Sequence, residues 1–132
     1  MEYRRTKTTV SLINYHFVFF CPYRRRKIFD IPNTETLFKK RVSEICEKHG
    51  LYILAMECHR DHAHLFINAP PQMSPHQIMK LIKGGTSRWL RENIPQLSHL
   101  KQLWTRSYFC STAGNVSSEI IKKYIKTQKT RS

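Results

Sequence analysis

Apolar residues recur along this chain with two periods. Residues 10–20, Val-Ser-Leu-Ile-Asn-Tyr-His-Phe-Val-Phe-Phe, are β-branched and aromatic and read as a strand. Ile13, Tyr15, Phe17 and Phe19 share one face of it, and Leu12, Asn14, His16 and Val18 share a mixed second face. Cys21-Pro22 ends that strand. The period then changes. Phe38, Val42, Ile45 and Cys46 fall at i, i+4, i+7 and i+8, the stripe of an amphipathic helix. Pro32-Asn33-Thr34 opens this helix, with Glu35 near its positive end, and Gly50 stops it. Residues 51–58 form a second strand, and a tight connection, His59-Arg60-Asp61, leads into a third at His62–Ile67. In the third strand Ala63, Leu65 and Ile67 look toward a core, while His62, His64 and Phe66 look away.

Pro70-Pro71 closes the third strand, and Ser74-Pro75-His76-Gln77 is a capping box with proline at the first helical position. Ile78, Leu81, Ile82, Trp89 and Leu90 carry the apolar stripe of a second helix to about residue 92. Gly84-Gly85 inside it weakens the helix by about 1 kcal/mol per glycine relative to alanine, which predicts a kink or a close backbone approach. Residues 103–112 read as a fourth strand, with Trp104, Arg106, Tyr108 and Cys110 on one face. Ala113-Gly114-Asn115 is a turn, and Ser117 caps a last helix that runs to Gln128.

The order βαββαβ predicts an α+β, ferredoxin-like fold. Right-handed crossovers place both helices on one face of a four-stranded antiparallel sheet, and the C-terminal helix is added to it. The other face is expected to be open and to carry His62 and His64. The 132 residues fit one domain. It divides into a loose basic arm at 1–9, the ferredoxin-like core at 10–112 and the last helix at 117–128.

Charge narrows the class of partner. Lys and Arg number 23 against 9 acidic residues, a net charge of +14, which draws polyanions. A long basic amphipathic helix with an aromatic face is missing from the pattern, so nucleic acid is the expected partner and a membrane surface is not. Tyr23-Arg24-Arg25-Arg26 reads as a phosphate grip with one ring for stacking, and Lys83 adds charge on the second helix. The N-terminus lacks a signal-peptide apolar region and no apolar run is long enough to span a membrane, so the chain is expected to be cytoplasmic. Cys21, Cys46, Cys58 and Cys110 are scattered and predict neither a disulfide framework nor a zinc ribbon.

Two imidazoles side by side on a strand can hold one divalent cation. Near the other end of the chain, Tyr124 lies one helical turn from Gln128 and is flanked by Lys122, Lys123 and Lys126. A phenol is a poor nucleophile and a phosphodiester a poor electrophile. A cation on His62 and His64 would polarise the phosphate, nearby lysines would favour the phenolate, and Gln128 could add a ligand oxygen. Attack by Tyr124 would give a phosphotyrosine and a free 3′-hydroxyl, conserving the bond for resealing with no nucleotide cofactor. Two other readings fit the same residues. Cys58, His59, His62 and His64 could build a small structural zinc site in a nucleic-acid-binding protein. A basic sheet with aromatics also describes a non-catalytic RNA- or DNA-hairpin-binding module.

Five stretches in register carry a family resemblance. They are Tyr15-His16-Phe17-Val18-Phe19 with Tyr23-Arg24, then Asp61-His62-Ala63-His64-Leu65, then Lys80-Leu81-Ile82-Lys83-Gly84, then Leu103-Trp104-Thr105-Arg106-Ser107-Tyr108-Phe109, and last Tyr124-Ile125-Lys126-Thr127-Gln128. Together they resemble the single-tyrosine transposases of the HUH endonuclease superfamily, encoded by small insertion sequences that move as single-stranded DNA. The resemblance implies that His62 and His64 are the metal-binding pair, Tyr124 the nucleophile and Gln128 a further ligand. It implies Mg²⁺ or Mn²⁺, DNA hairpins at the element ends as partners, and a homodimer. The basic residues Tyr23 to Arg26, Lys83, Lys123 and Lys126 are then candidates for contact with DNA. One departure is Ala63, where such proteins carry a bulkier apolar residue, and slightly looser packing beneath the site is expected.

Overall fold

The computed structural model describes residues 3–22 and 27–113. Two short strands, β1 (Arg4–Arg5) and β2 (Val10–Ser11), pair as an antiparallel hairpin ahead of the main sheet. The sheet is built from β3 (Ile13–Phe20), then, after helix α1 (Thr34–His49), from β4 (Tyr52–Cys58) and β5 (His62–Ala69), and, after helix α2 (Pro75–Asn93), from β6 (Phe109–Thr112). Its order is β4-β5-β3-β6, with every neighbouring pair antiparallel. This is the ferredoxin-like arrangement expected from the order of elements.

The core lies between the sheet and the two helices. Phe17 and Phe19 of β3 and Ala63, Leu65 and Ile67 of β5 are fully buried there. They meet Phe38, Val42, Ile45 and Cys46 of α1, the four residues of its predicted stripe. From α2 come Ile78, Ile82, Thr86 and Leu90, four apart in sequence and hence on one face. Leu81 and Trp89, also placed in that stripe by the sequence pattern, are only partly buried at its margin. Thr86 is polar but satisfied: its hydroxyl donates to the Ile82 carbonyl at 2.6 Å and accepts from Trp104 Nε1 at 3.0 Å. Burial lifts the Cys46 thiol to about 12, so it behaves as a small apolar side chain.

Helix ends follow the local chemistry. Ser74 and Gln77 form the reciprocal capping box of α2, with contacts of 3.1 and 2.8 Å. Gly50 closes α1 at φ 69°, a left-handed conformation that glycine adopts without strain. Asn33, at φ 73°, precedes α1 without a side-chain cap hydrogen bond.

Three expectations change. The fourth strand spans Phe109–Thr112, not 103–112. Leu103 and Trp104 are both buried but lie outside it. The backbone that follows is held by α2 instead: Lys83 Nζ donates to the carbonyls of Thr105, Arg106 and Ser107 at 2.5, 3.0 and 3.3 Å. Arg91 does the same for Leu100 and Lys101, at 3.0 Å each. The N-terminal segment is not a loose arm over its described part. Arg4 donates to Asn68 Oδ1 at 2.6 Å and to the Gly50 carbonyl at 2.7 Å, and its guanidinium lies 4.2 Å from the Tyr52 ring centre. The second face of the sheet is not open either, since Asn14, His16, His64, Phe66 and Asn68 are all buried on it.

The Gly84-Gly85 pair reports a close approach on one side only. A Cβ on Gly85 would come 2.6 Å from Ile45 Cδ1 of α1, whereas one on Gly84 meets nothing within 4 Å. Gly84→Ala should therefore stabilise the protein by about 1 kcal/mol through helix propensity. Gly85→Ala should gain less or lose, because Ile45 must move. Urea denaturation of the two variants side by side checks this, and equal gains would contradict the packing described.

Candidate metal centre

Pairing places the histidines. In the β4–β5 hairpin Glu57 stands opposite His64 and Cys58 opposite Ala63. The hairpin closes with His59 N–H donating to the His62 carbonyl at 2.8 Å, so His59 stands opposite His62 across the two-residue loop Arg60-Asp61. Directly opposed residues share a face. His59, His62 and His64 are thus neighbours by construction, and one ring nitrogen from each lies within 4.8 Å of the other two. Cys58 falls on the opposite face and belongs to the core. The four-ligand zinc site with Cys58 is therefore not assembled, for the plain reason that adjacent strand residues point apart.

A β-bulge sets this phase. The register of β4 against β5 shifts between Ile53 and Ala55. Ile53 and Met56 pack against the core cluster, while Leu54 and Ala55 join Phe66 on the other face. Strict alternation from Ile53 would have turned His59 into the core; the extra residue turns it out.

Two hydrogen bonds aim the rings. His62 Nδ1 lies 2.7 Å from Asp61 Oδ1, so Nδ1–H donates to the carboxylate and Nε2 keeps its lone pair. His64 Nδ1 lies 3.0 Å from His16 Nε2 of β3, and one of the two must carry the proton. When His64 donates, its Nε2 is left bare to bind a cation. His16 is itself stacked on Phe66, with ring centres 4.1 Å apart, and edge-on to the exposed Phe109 at 5.7 Å. Phe20, opposite His62, lies 4.8 Å from its ring centre. Sequence reasoning passed over His16 and Phe109, and grouped His59 with His62 and His64 only in the zinc reading that included Cys58. The signal for His59 was the hairpin loop, which pairs it with His62 once the loop is counted as two residues.

Burial keeps His16 and His64 neutral. The His16 pKa falls to about 4 through desolvation. That of His64 falls to about 3, through desolvation first and then repulsion from His16, His62 and His59. Neutral imidazole is the form that binds metal. Beside His59 and His62 opens a cleft of about 510 Å³, lined also by Lys27, Phe29, Asp30 and Arg60. Arg60 is paired with Asp30 at 2.7 Å, and that guanidinium holds the carboxyl below its usual range.

Comparison with known proteins decides the family. The profile described as "Transposase IS200 like" matches residues 9–128. The chain belongs to the IS200-like transposase family. It is 32% identical over 117 residues to the transposase for insertion sequence element IS200 of Salmonella typhimurium strain LT2, covering 86% of this chain and 75% of that one. It is 28% identical over 131 residues to the ISDra2 transposase TnpA of Deinococcus radiodurans, covering 97% and 92%. A crystal structure of a transposase from Deinococcus radiodurans R1 superposes with a TM-score of 0.75 at 26% identity, over 95% and 97% of the two chains. A REP-associated tyrosine transposase bound to a REP hairpin superposes at 0.61 with 14% identity, over 94% and 67%, which shows the shared fold.

This IS200-like protein is thus a single-tyrosine HUH transposase, a DNA-binding, DNA-cleaving and strand-transferring enzyme of insertion-sequence transposition. Of the site residues read from its sequence, His62, His64 and Lys83 lie among the described residues; Tyr124, Gln128, Tyr23, Arg24, Arg25, Arg26, Lys123 and Lys126 lie outside them. Lys83 commits its ammonium to the 105–107 carbonyls. Among the described residues, no helix of this transposase is long and apolar enough to cross a membrane.

The low histidine pKa values have a sign that can be tested. In the unfolded chain His16 and His64 titrate near 6.5, so below that pH the unfolded state takes up protons that the folded state refuses. Metal-free protein should hold its stability above pH 6.5 and lose it as pH falls toward 4, on the order of 3 kcal/mol from His16 alone. His16→Phe should flatten the fall of Tm over that interval, measured by thermal denaturation, and an unchanged slope would refute the assignment.

Proposed function

We propose that the protein cuts and rejoins single-stranded DNA at insertion-sequence ends through a 5′-phosphotyrosine on Tyr124, beside a divalent cation, Mg²⁺ or Mn²⁺, held by His62, His64 and Gln128. The observation that carries this reading is the convergence of His62 and His64 on one face, each with its Nδ1 tied back, beside a cleft. The donor set fits a cation: two imidazoles oriented by hydrogen bonds, His64 kept neutral by burial and His62 with a carboxylate behind it. When bound, the cation withdraws charge from the non-bridging phosphate oxygens.

The rest is the work of the chain. The Tyr124 phenolate oxygen attacks phosphorus, the bond from phosphorus to the 3′-oxygen breaks, and that oxygen leaves with the proton lost by the phenol. Lys123 and Lys126 favour the phenolate. Rejoining runs the same step backwards with a different 3′-hydroxyl. The net charge of +14 and the Tyr23-Arg24-Arg25-Arg26 stretch hold the DNA strand. Lys83 contributes by fixing the segment that carries Arg106 and Tyr108. A hairpin at the element end is the expected ligand, as a REP hairpin is for the REP-associated relative. The working unit is a homodimer of single-domain chains.

Incubation with 3′-labelled, hairpin-bearing single-stranded DNA and Mn²⁺ tests the reaction. A covalent adduct should form in wild type and in Tyr108→Phe, and vanish in Tyr124→Phe or with chelator. DNA binding with no adduct in any of them would leave a hairpin-binding module. Asp61→Asn should raise the metal concentration needed for half-maximal adduct about 10- to 100-fold, with adduct formation restored at saturating metal.

A further inference from the structure

His59 stands beside the proposed ligand pair for a structural reason. The hairpin hydrogen bond from its N–H to the His62 carbonyl, 2.8 Å long, fixes the two residues opposite each other. The bulge between Ile53 and Ala55 gives β4 the phase that brings His59 to the face of His62 and His64. The ring centre of His59 lies 4.4 Å from that of His62 and 5.2 Å from that of His64, and the His62–His64 separation is also 5.2 Å. Rings that each place a nitrogen about 2.1 Å from one ion have centres roughly 4.5 to 5.5 Å apart. All three separations fall in or at the edge of that range; His59 and His62 are stacked with 19° between their planes, so binding one ion requires a ring rotation that turns their nitrogens toward each other.

We infer that His59 is a third imidazole ligand of this centre, making it a site for a transition ion of the manganese-to-zinc series in preference to magnesium. The inference rests on the metal reading above and deepens it. Magnesium seeks oxygen donors in an octahedron and gives up water reluctantly. Each nitrogen donor added moves a site away from it and toward ions that bind imidazole well. With Gln128 as a fourth protein ligand, a six-coordinate ion keeps two positions for substrate oxygens, as a catalytic site requires. The cleft beside His59 and His62 opens the centre to substrate, with Lys27 and the Asp30-paired Arg60 on its wall together with Glu35 and Asp61.

The test is metal binding by the full-length, metal-free protein, independent of DNA cleavage. Calorimetric titration with Mn²⁺, Zn²⁺ and Mg²⁺ should give one site, with Mg²⁺ weakest. His59→Ala should weaken Mn²⁺ and Zn²⁺ binding about 10- to 100-fold, the range in which even outer partners of a ligand act, and leave Mg²⁺ nearly unchanged. X-ray absorption of the zinc-loaded protein should count three imidazoles in wild type and two in the variant. His59→Asn, which keeps a polar turn residue, controls for loss of the hairpin, and the Tm of each apo-protein verifies folding. Unchanged Mn²⁺ and Zn²⁺ affinities in folded His59 variants, with binding lost in His62→Ala, would overturn the inference and leave the two-histidine reading standing. Binding unaffected by His62→Ala and His64→Ala as well would remove both.

Discussion

The pairing of β5 on both of its sides is the constraint from which the rest follows. It is hydrogen-bonded to β3 over the whole of His62–Ala69 and to β4 on its other edge. With its register fixed, Ala63, Leu65 and Ile67 reach the helices and the two histidines reach the other face. A slip by one residue would exchange these sets and push imidazoles into an apolar layer. Stability and site chemistry therefore rest on the same ladder of hydrogen bonds, and neither can drift without the other. Ala63, the small residue between the histidines, is fully buried opposite Phe19 and Cys58 in that ladder.

Electrostatics shape the site in a second way. A protein with a charge of +14 opposes a dication anywhere on it. Within the site that opposition is tempered by desolvation, which keeps His16 and His64 uncharged, and by Asp61, which places one carboxylate against His62. Under the proposed metal reading, the phosphates of a bound strand would offset the positive charge that opposes the cation, so cation and DNA would favour each other's binding.

Much of this was legible in the sequence, and the reasons are particular. The α1 stripe at Phe38, Val42, Ile45 and Cys46, the Ser74–Gln77 box and the alternation of His62–Ile67 are local patterns, and tertiary packing agreed with them. The first half of the fourth strand misled because Trp104 and Leu103 look like strand residues, while cations nine or more residues upstream in α2 claim the carbonyls around them. Arg4 docks on residues more than forty positions away, which no window of sequence contains. His59 was grouped with Cys58 in the zinc reading because the face each takes depends on an extra residue in β4, and strands do not announce their bulges. His16 was placed on the right face, but its partner came only with the register of β3 against β5.

The irregularity in β4 has another consequence. β4 is one outer margin of the sheet, where a straight strand would offer a row of free N–H and C=O groups to any extended chain. The kink between Ile53 and Ala55 puts that row out of line, and Arg4, bonded to Gly50 and lying against Tyr52, obstructs its beginning. The residue count that turns His59 away from the core thus also spoils this margin as a template for runaway strand-to-strand association.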